Sequence, residues 1–238
     1  GKFVQWVPLH QFDPEAFKIL VRTFLKVFPE SHGFIGLYNA NTPIFAIVGC
    51  KEVPLSLDAQ TLYSNINNYS LAGSVFKDPI DLMASYFGPA EALIDYAGEG
   101  AINTDLNPVI LFHSPKSTYT TMNDSSYLTL ESILPFRKIY NLDITKDNGT
   151  LSRQSISTWN AVGHYLSGEI LLAKSMDRLS LLNALNAYIK SYQMEPNFSP
   201  ALGKLILLCR QDQSLKSKVL PILSINHKER FSASINQN

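Results

Sequence analysis

The chain has 238 residues with 20 basic and 20 acidic side chains, 45% hydrophobic residues and 17% charged residues. Zero net charge argues against binding nucleic acid through a basic surface, and no apolar run approaches the length of a membrane span. Cys50 and Cys209 lie too far apart in sequence to suggest a disulfide framework or a metal knuckle.

The chain opens Gly1-Lys2-Phe3-Val4 with no initiator Met, and its first residues already read as a strand, so it is expected to be part of something longer. Residues 3–9 are aromatic and β-branched and run up to Pro8. This pattern predicts a strand buried on both faces, as in a parallel sheet. Asp13-Pro14-Glu15 supplies an N-cap side chain, a proline at the first helical position and an acid in the first turn. Phe17, Leu20, Val21, Phe24, Val27 and Phe28 then recur at helical spacing, and Pro29 ends the helix. Residues 33–38 and 43–50 are apolar runs joined by Asn39-Ala40-Asn41-Thr42, which predicts a hairpin.

The middle of the chain reads as irregular and helical. A helix is expected over 56–67, capped by Ser56. Asp78-Pro79 starts another through Phe87. Gly88-Pro89 breaks it, and a further helix runs to about Tyr96. Gly98-Glu99-Gly100 reads as a turn, and Asn103-Thr104-Asp105-Leu106-Asn107-Pro108 leads into a short apolar segment. Residues 114–150 are rich in Ser, Thr, Asn and Asp and are taken as a boundary, with one short helix at 128–137. Helices follow to the end.

Catalytic constellations are scarce. Gly33-x-x-Gly36 and Gly98-x-Gly100 do not sit between a strand and a helix N-terminus, as a nucleotide-binding loop requires. His10, His32, His113, His164 and His227 are not paired at metal-ligand spacing. Cys50 and Cys209 read as inert buried thiols. Four Asn-x-Ser/Thr sequons, at Asn68, Asn123, Asn148 and Asn197, are expected by chance in so polar a chain. Gln5-Trp6-Val7-Pro8-Leu9-His10-Gln11 stands out because ligands of open α/β sheets gather beyond the carboxyl ends of the strands. There Trp6 offers a flat apolar wall and Gln5, His10 and Gln11 offer hydrogen bonds. The plainer alternative keeps Trp6 in the core and leaves His10 and Gln11 solvated.

Gly1–Gln11 resembles the "GG-x-FVQWLPLHQL" segment of spermidine synthase-like proteins, in the bacterial branch often fused to a transporter-like N-terminal half. Val21-Arg22-Thr23-Phe24-Leu25-Lys26-Val27-Phe28-Pro29 resembles that branch's "VRTFLEVFP". The likeness runs on through Ala46-Ile47-Val48-Gly49. Asn103-Thr104-Asp105-x-x-Pro108-Val109 resembles its "NTDDRPV", with Leu106 and Asn107 in place of an acid and a basic residue. The resemblance covers about 1–118. It implies an α/β fold, the C-terminal part of a Rossmann-like methyltransferase sheet of order 3-2-1-4-5-7-6. Lys2–Leu9 would be strand 5 and the hairpin strands 6 and 7. It further implies aminopropyl transfer from decarboxylated S-adenosylmethionine to an amine nucleophile. The nucleoside-binding loop and the catalytic aspartate would lie upstream, so no catalytic, cofactor or metal residue is assigned here, and the chain alone is expected to be inactive. Gln5 and Trp6 become candidate walls of the amine pocket, with His10 and Gln11 beside them.

The resulting division is 1–118 as this α/β part, 119–150 as a linker, and 151–238 as a mostly helical region. Trp159, Gly163, Ala184, Tyr188 and Pro196 resemble the spacing of a tetratricopeptide unit, although Gly163 to Ala184 is longer than in that unit. The expected partners are a second copy or a missing N-terminal half pairing on strand 2–8. A protein partner is expected at 151–238, and no nucleic acid. The resemblance implies a cytoplasmic location, or the cytoplasmic part of a membrane-anchored protein. An interaction module is the second reading. A complete enzyme of another type would need distant groups to meet, such as His10 with Asp13 or Asp105 with His113.

Overall fold

The computed structural model describes residues 1–36, 38–51, 55, 79–112, 125–139 and 150–235. The expected helix at 56–67, the cap at Asp78 and most of the polar stretch 114–150 lie outside these residues. The fold is mixed α/β, and the chain divides into two compact units, 1–156 and 157–238.

The first unit is built on a four-stranded sheet of order β1-β3-β2-β4, with β1 (Lys2–Pro8), β2 (Glu30–Ile35), β3 (Ile44–Cys50) and β4 (Tyr86–Pro89). Every described pairing is antiparallel. The expected hairpin is present, with Phe34 opposite Ala46 and Ile35 opposite Phe45. The first strand departs from the expected burial on both faces in a parallel sheet: it pairs antiparallel with β3 at the end of the described strand order, and Phe3 (49%), Val4 (44%) and Trp6 (57%) remain substantially exposed. A run without polar alternation reads as two covered faces, but only Val7 and the following Leu9 are buried here.

One face of the sheet carries Phe3, Val7, Phe45 and Gly49, as strand alternation requires. Helix α1 (Pro14–Val27) lies on it. The Asp13 carboxylate accepts from the Ala16 N–H at 2.8 Å, so the cap read from sequence holds the helix start. Phe17 meets Phe45 edge-on at 5.4 Å, and the Phe3 ring stacks on Phe28 at 5.7 Å. The buried stripe is Phe17, Val21 and Phe24 together with Ile19; Val27 is exposed instead. Gly49 has no side chain because a Cβ there would lie 2.6 Å from the Phe28 Cβ.

The helix expected through Phe87 ends earlier. Helix α2 spans Pro79–Ser85, and Tyr86–Pro89 joins the sheet beside β2. Tertiary packing overrides the local pattern: Phe87 packs edge-on against Phe45 at 5.2 Å, and Tyr86 against Phe34 at 5.3 Å. Helix α3 (Ala90–Ala97) then ends at Gly98, whose φ of 59° is the left-handed cap that favours glycine. Helix α4 (Leu128–Ile133) is the short helix read at 128–137. It is built into this first unit: the Thr129 hydroxyl donates to the Phe12 carbonyl, and the Lys138 N–H to the Phe87 carbonyl. Tyr96, on α3, ties the layer together by donating to the Pro14 carbonyl and packing edge-on against Phe136.

The second unit is helical. It contains most of α5 (Thr150–Lys174), then α6 (Arg178–Met194), α7 (Ser199–Gln211), the short α8 (Lys216–Val219) and α9 (Ile225–Ile235). Helices α5 and α6 run antiparallel. Ser157 bonds Glu195 at the start of α5, the Ala161 carbonyl accepts from Ser191, and Tyr188 reaches Glu169 further along. No helix among the described residues is long and apolar enough to cross a membrane.

Candidate functional site

The four candidate residues at the end of β1 do not converge. Neighbouring strand residues point to opposite faces. Gln5 shares the α1 face with Phe3 and Val7, whereas Trp6 lies on the other. The Gln5 amide is spent locally, its Nε2 donating to the Trp6 carbonyl at 3.0 Å. The Trp6 indole reaches across β3 to Gly36, where an added Cβ would lie 3.0 Å from Cζ3. Ala46, the direct partner of Trp6, is small enough to be crossed. His10 and Gln11 follow in a 3-10 turn, Leu9–Gln11, which packs against α4. His10 Nδ1 is buried and makes no hydrogen bond among the described residues, and its Nε2 lies 3.5 Å from the Gln11 amide nitrogen. Trp6 and Gln5 therefore lie on opposite faces of β1, which stands at the end of the described strand order. Asp13, close to His10 and Gln11 in sequence, caps α1. His113 lies outside the described residues.

The sequence segments that carried the resemblance do meet. Arg22 Nη1 donates to the Ala97 carbonyl at 2.7 Å, and its Nε to the Ala101 carbonyl at 2.8 Å. Its Nη2 pairs with Glu15 at 2.7 Å. The guanidinium thus holds the Gly98–Gly100 turn as a planar fork of donors. Next to it, Thr23 Oγ1 accepts from the Asn103 N–H at 2.8 Å. Asn103 in turn accepts from the Ile110 N–H at 3.0 Å, and Thr104 and Asn107 close a tight turn through their backbones. Leu106 at the tip is fully exposed, and Leu111 and Phe112 are also exposed.

Two polar clusters carry no local sequence signal. His32 Nδ1 and the buried Tyr86 hydroxyl are hydrogen-bonded at 2.9 Å. Burial lowers the His32 pKa against the opposing pull of Glu30 and Glu91. Burial likewise raises that of Tyr86. In the second unit, Glu169 accepts from the Tyr188 hydroxyl at 2.6 Å and pairs with Lys204 at 2.8 Å, so α5, α6 and α7 share one carboxylate. Burial and the adjacent Glu169 push the Tyr188 phenol far up. His32 was visible as a histidine, but its partner sat in a segment read as helix. Glu169, Tyr188 and Lys204 have no shared spacing that could have joined them.

The two cysteines are buried and free, and burial raises the Cys209 thiol to about 11, as expected for inert thiols. Among the described residues no cluster of His, Cys, Asp and Glu could hold a metal ion. No family model, curated protein or solved structure matches this chain.

Proposed function

We propose that residues 1–118 are the C-terminal part of a spermidine synthase-like α/β domain. The observation that carries this reading is the order β1-β3-β2. It is the order in which strands 5, 7 and 6 stand at the end of the sheet implied by the sequence resemblance. The contact of Thr23 with Asn103 adds support, because it joins the two segments quoted for that resemblance. β4, beyond β2, is an addition to that order.

On this reading the aminopropyl donor, decarboxylated S-adenosylmethionine, is held by a loop and a carboxylate outside these residues. This chain contributes the end of the sheet, with Gln5 and Trp6 flanking the edge of β1 that the remaining strands would join. On the same reading the general base also lies outside this chain, so the chain alone is inactive. A cytoplasmic setting, or the cytoplasmic side of a membrane-anchored protein, belongs to the same reading. Titration calorimetry of the chain with decarboxylated and intact S-adenosylmethionine is expected to give no binding heat. A micromolar signal with either would overturn the proposal.

A helical module that docks a protein partner is a second reading for residues 157–238. Antiparallel packing of α5 on α6, and the exposed Met194 and Leu207, favour it. Glu at both positions, with helicity unchanged, should abolish binding of a partner that the native chain retains. Unaltered binding would remove the reading.

A further inference from the structure

The zero net charge of the chain hides a division between its two units. Residues 157–238 hold nine basic and five acidic side chains, and residues 1–156 hold 11 and 15. In the second unit the acids serve the fold. Glu169 holds Tyr188 and Lys204, and Glu195 accepts from the Ser157 hydroxyl and the Asn197 N–H. Asp177 caps α6, and Asp212 pairs with Arg178 and accepts from Ser214. Glu229 alone stands exposed outside such a task among the described residues of this unit.

The cations are left over. Lys190, Lys216, Lys218, Lys228 and Arg230 make no ion pair among the described residues, and all but Lys216 are exposed. Arg210 donates from Nε and Nη2 to the Ser234 carbonyl, which keeps its charge and brings the end of α9 to the end of α7. Arg230 stands one turn before Ser234 on α9. Lys216, at the start of α8, lies close enough to Cys209 for its charge to act on that thiol, and Lys218 is two residues on. Arg210, Lys216, Lys218 and Arg230 therefore gather about the C-terminal end of α7. The exposed face of α7 leads to them. Gly203, Leu207 and Arg210 follow at i, i+4 and i+7 and share one side of the helix. A Cβ on Gly203 would meet nothing within 4 Å, and Leu207 is 45% exposed.

We propose that this face of α7 binds an acidic protein segment, its carboxylates set against Arg210, Lys216, Lys218 and Arg230 and an apolar side chain resting on Leu207. Complementary charge selects the occupant. Nucleic acid fits less well, because Tyr165, Tyr188, Tyr192, Phe198 and Phe231 are all buried and offer no ring on which bases stack. A bilayer fits less well too, because α9 turns Phe231 and Ile235 inward and carries Glu229 between Lys228 and Arg230. The inference rests on the docking reading of residues 157–238 and gives that partner its chemistry.

The test is fluorescence anisotropy of the whole chain with three labelled probes: a peptide of Glu and Asp that carries leucine, the same peptide with Lys for every acid, and single-stranded DNA. Co-sedimentation with phosphatidylserine vesicles is the fourth measurement. The acidic peptide is expected to bind, and to bind less tightly as salt screens the charges. Lys216→Gln, Lys218→Gln and Arg230→Gln together should weaken it about tenfold with unchanged circular dichroism. Lys218→Glu alone, at an exposed position, should act in the same direction. Leu207→Ser should weaken binding and leave its salt dependence as it is. No binding of the acidic peptide at low salt, native affinity in the triple variant, or tighter binding of the lysine peptide, the DNA or the vesicles would each overturn the proposal. A retained partner that is lost with Met194→Glu and Leu207→Glu, yet is indifferent to the three neutralised cations, would keep the docking module and refute its acidic partner.

Discussion

Thr23 Oγ1 accepts a hydrogen bond from the Asn103 backbone N–H at 2.8 Å, across 80 residues of sequence. Beside it the Arg22 guanidinium, whose side chain is 8% exposed, binds the Ala97 and Ala101 carbonyls. Two adjacent residues of α1 therefore fix the path of the chain from the end of α3 to the turn at Thr104–Asn107. Thr23→Val keeps the shape but removes the acceptor, and it should cost about 1–2 kcal/mol. Arg22→Met should cost about 2–4 kcal/mol, since several carbonyls lose a charged donor together. Urea unfolding measures both. Hydrogen exchange adds the discriminating readout: the Asn103 and Ile110 amides should exchange faster in Thr23→Val while those of β3 do not. Uniform acceleration over the sheet would contradict a local anchor.

His32 gives the fold a defined acid sensitivity. Burial lowers its pKa in the folded state below the ordinary value near 6.5. Below that ordinary value the unfolded chain binds a proton that the folded chain refuses, so stability rises with pH through this window and is lost on acidification. The native chain should lose urea stability progressively as pH falls below about 6.5. His32→Gln, which can still bond Tyr86, should flatten that part of the profile while costing little at pH 8. A profile identical in the variant would show that other groups set the slope.

Local signals placed α1, the hairpin and α3 because each rests on chemistry within a few residues: the Asp13 cap, the Asn39–Thr42 loop, the Gly98 stop. Elsewhere distant contacts decide. Tyr86 and Phe87 continue a helical pattern, yet Phe34 and Phe45 draw them into the sheet. Lys2–Pro8 reads as buried on both faces because its residues do not alternate in polarity, yet only Val7 is buried in it. Gln5 and Trp6 are adjacent in sequence, and strand alternation sets them on opposite faces. Glu169 and Lys204 meet only through the packing of three helices, and no spacing announces such a pair.

Two glycines on neighbouring helices should respond in opposite ways. A Cβ on Gly168 would lie 2.6 Å from the Tyr188 ring, which α6 holds fully buried, whereas a Cβ on Gly203 in α7 would meet nothing within 4 Å. Gly168→Ala should therefore destabilise the helical unit by about 1–3 kcal/mol through overpacking. Gly203→Ala should stabilise it by about 0.5–1 kcal/mol, because alanine loses less backbone entropy in a helix. Thermal midpoints of the two variants moving in the same direction would refute the close approach of α5 and α6.

The carboxylate shared by α5, α6 and α7 allows the sharpest energetic test. Glu169 is 9% exposed at its side chain, and Lys204 is 29% exposed. Removing Glu169 strands the Tyr188 hydroxyl inside the unit, but Lys204 retains access to water and can turn outward. Glu169→Leu should therefore cost about 2–4 kcal/mol, toward the lower side of breaking a fully buried pair. Lys204→Met should cost about 1 kcal/mol, because Tyr188 still donates to the carboxylate it leaves behind. Tyr188→Phe should fall between them, at about 1.5–3 kcal/mol for a bond to a charged acceptor. In the double variant Glu169→Leu with Lys204→Met, the loss should be smaller than the sum by about 1 kcal/mol, the coupling expected of residues in contact. Strict additivity in urea unfolding would mean that Lys204 contributes through packing of its stem and not through its charge.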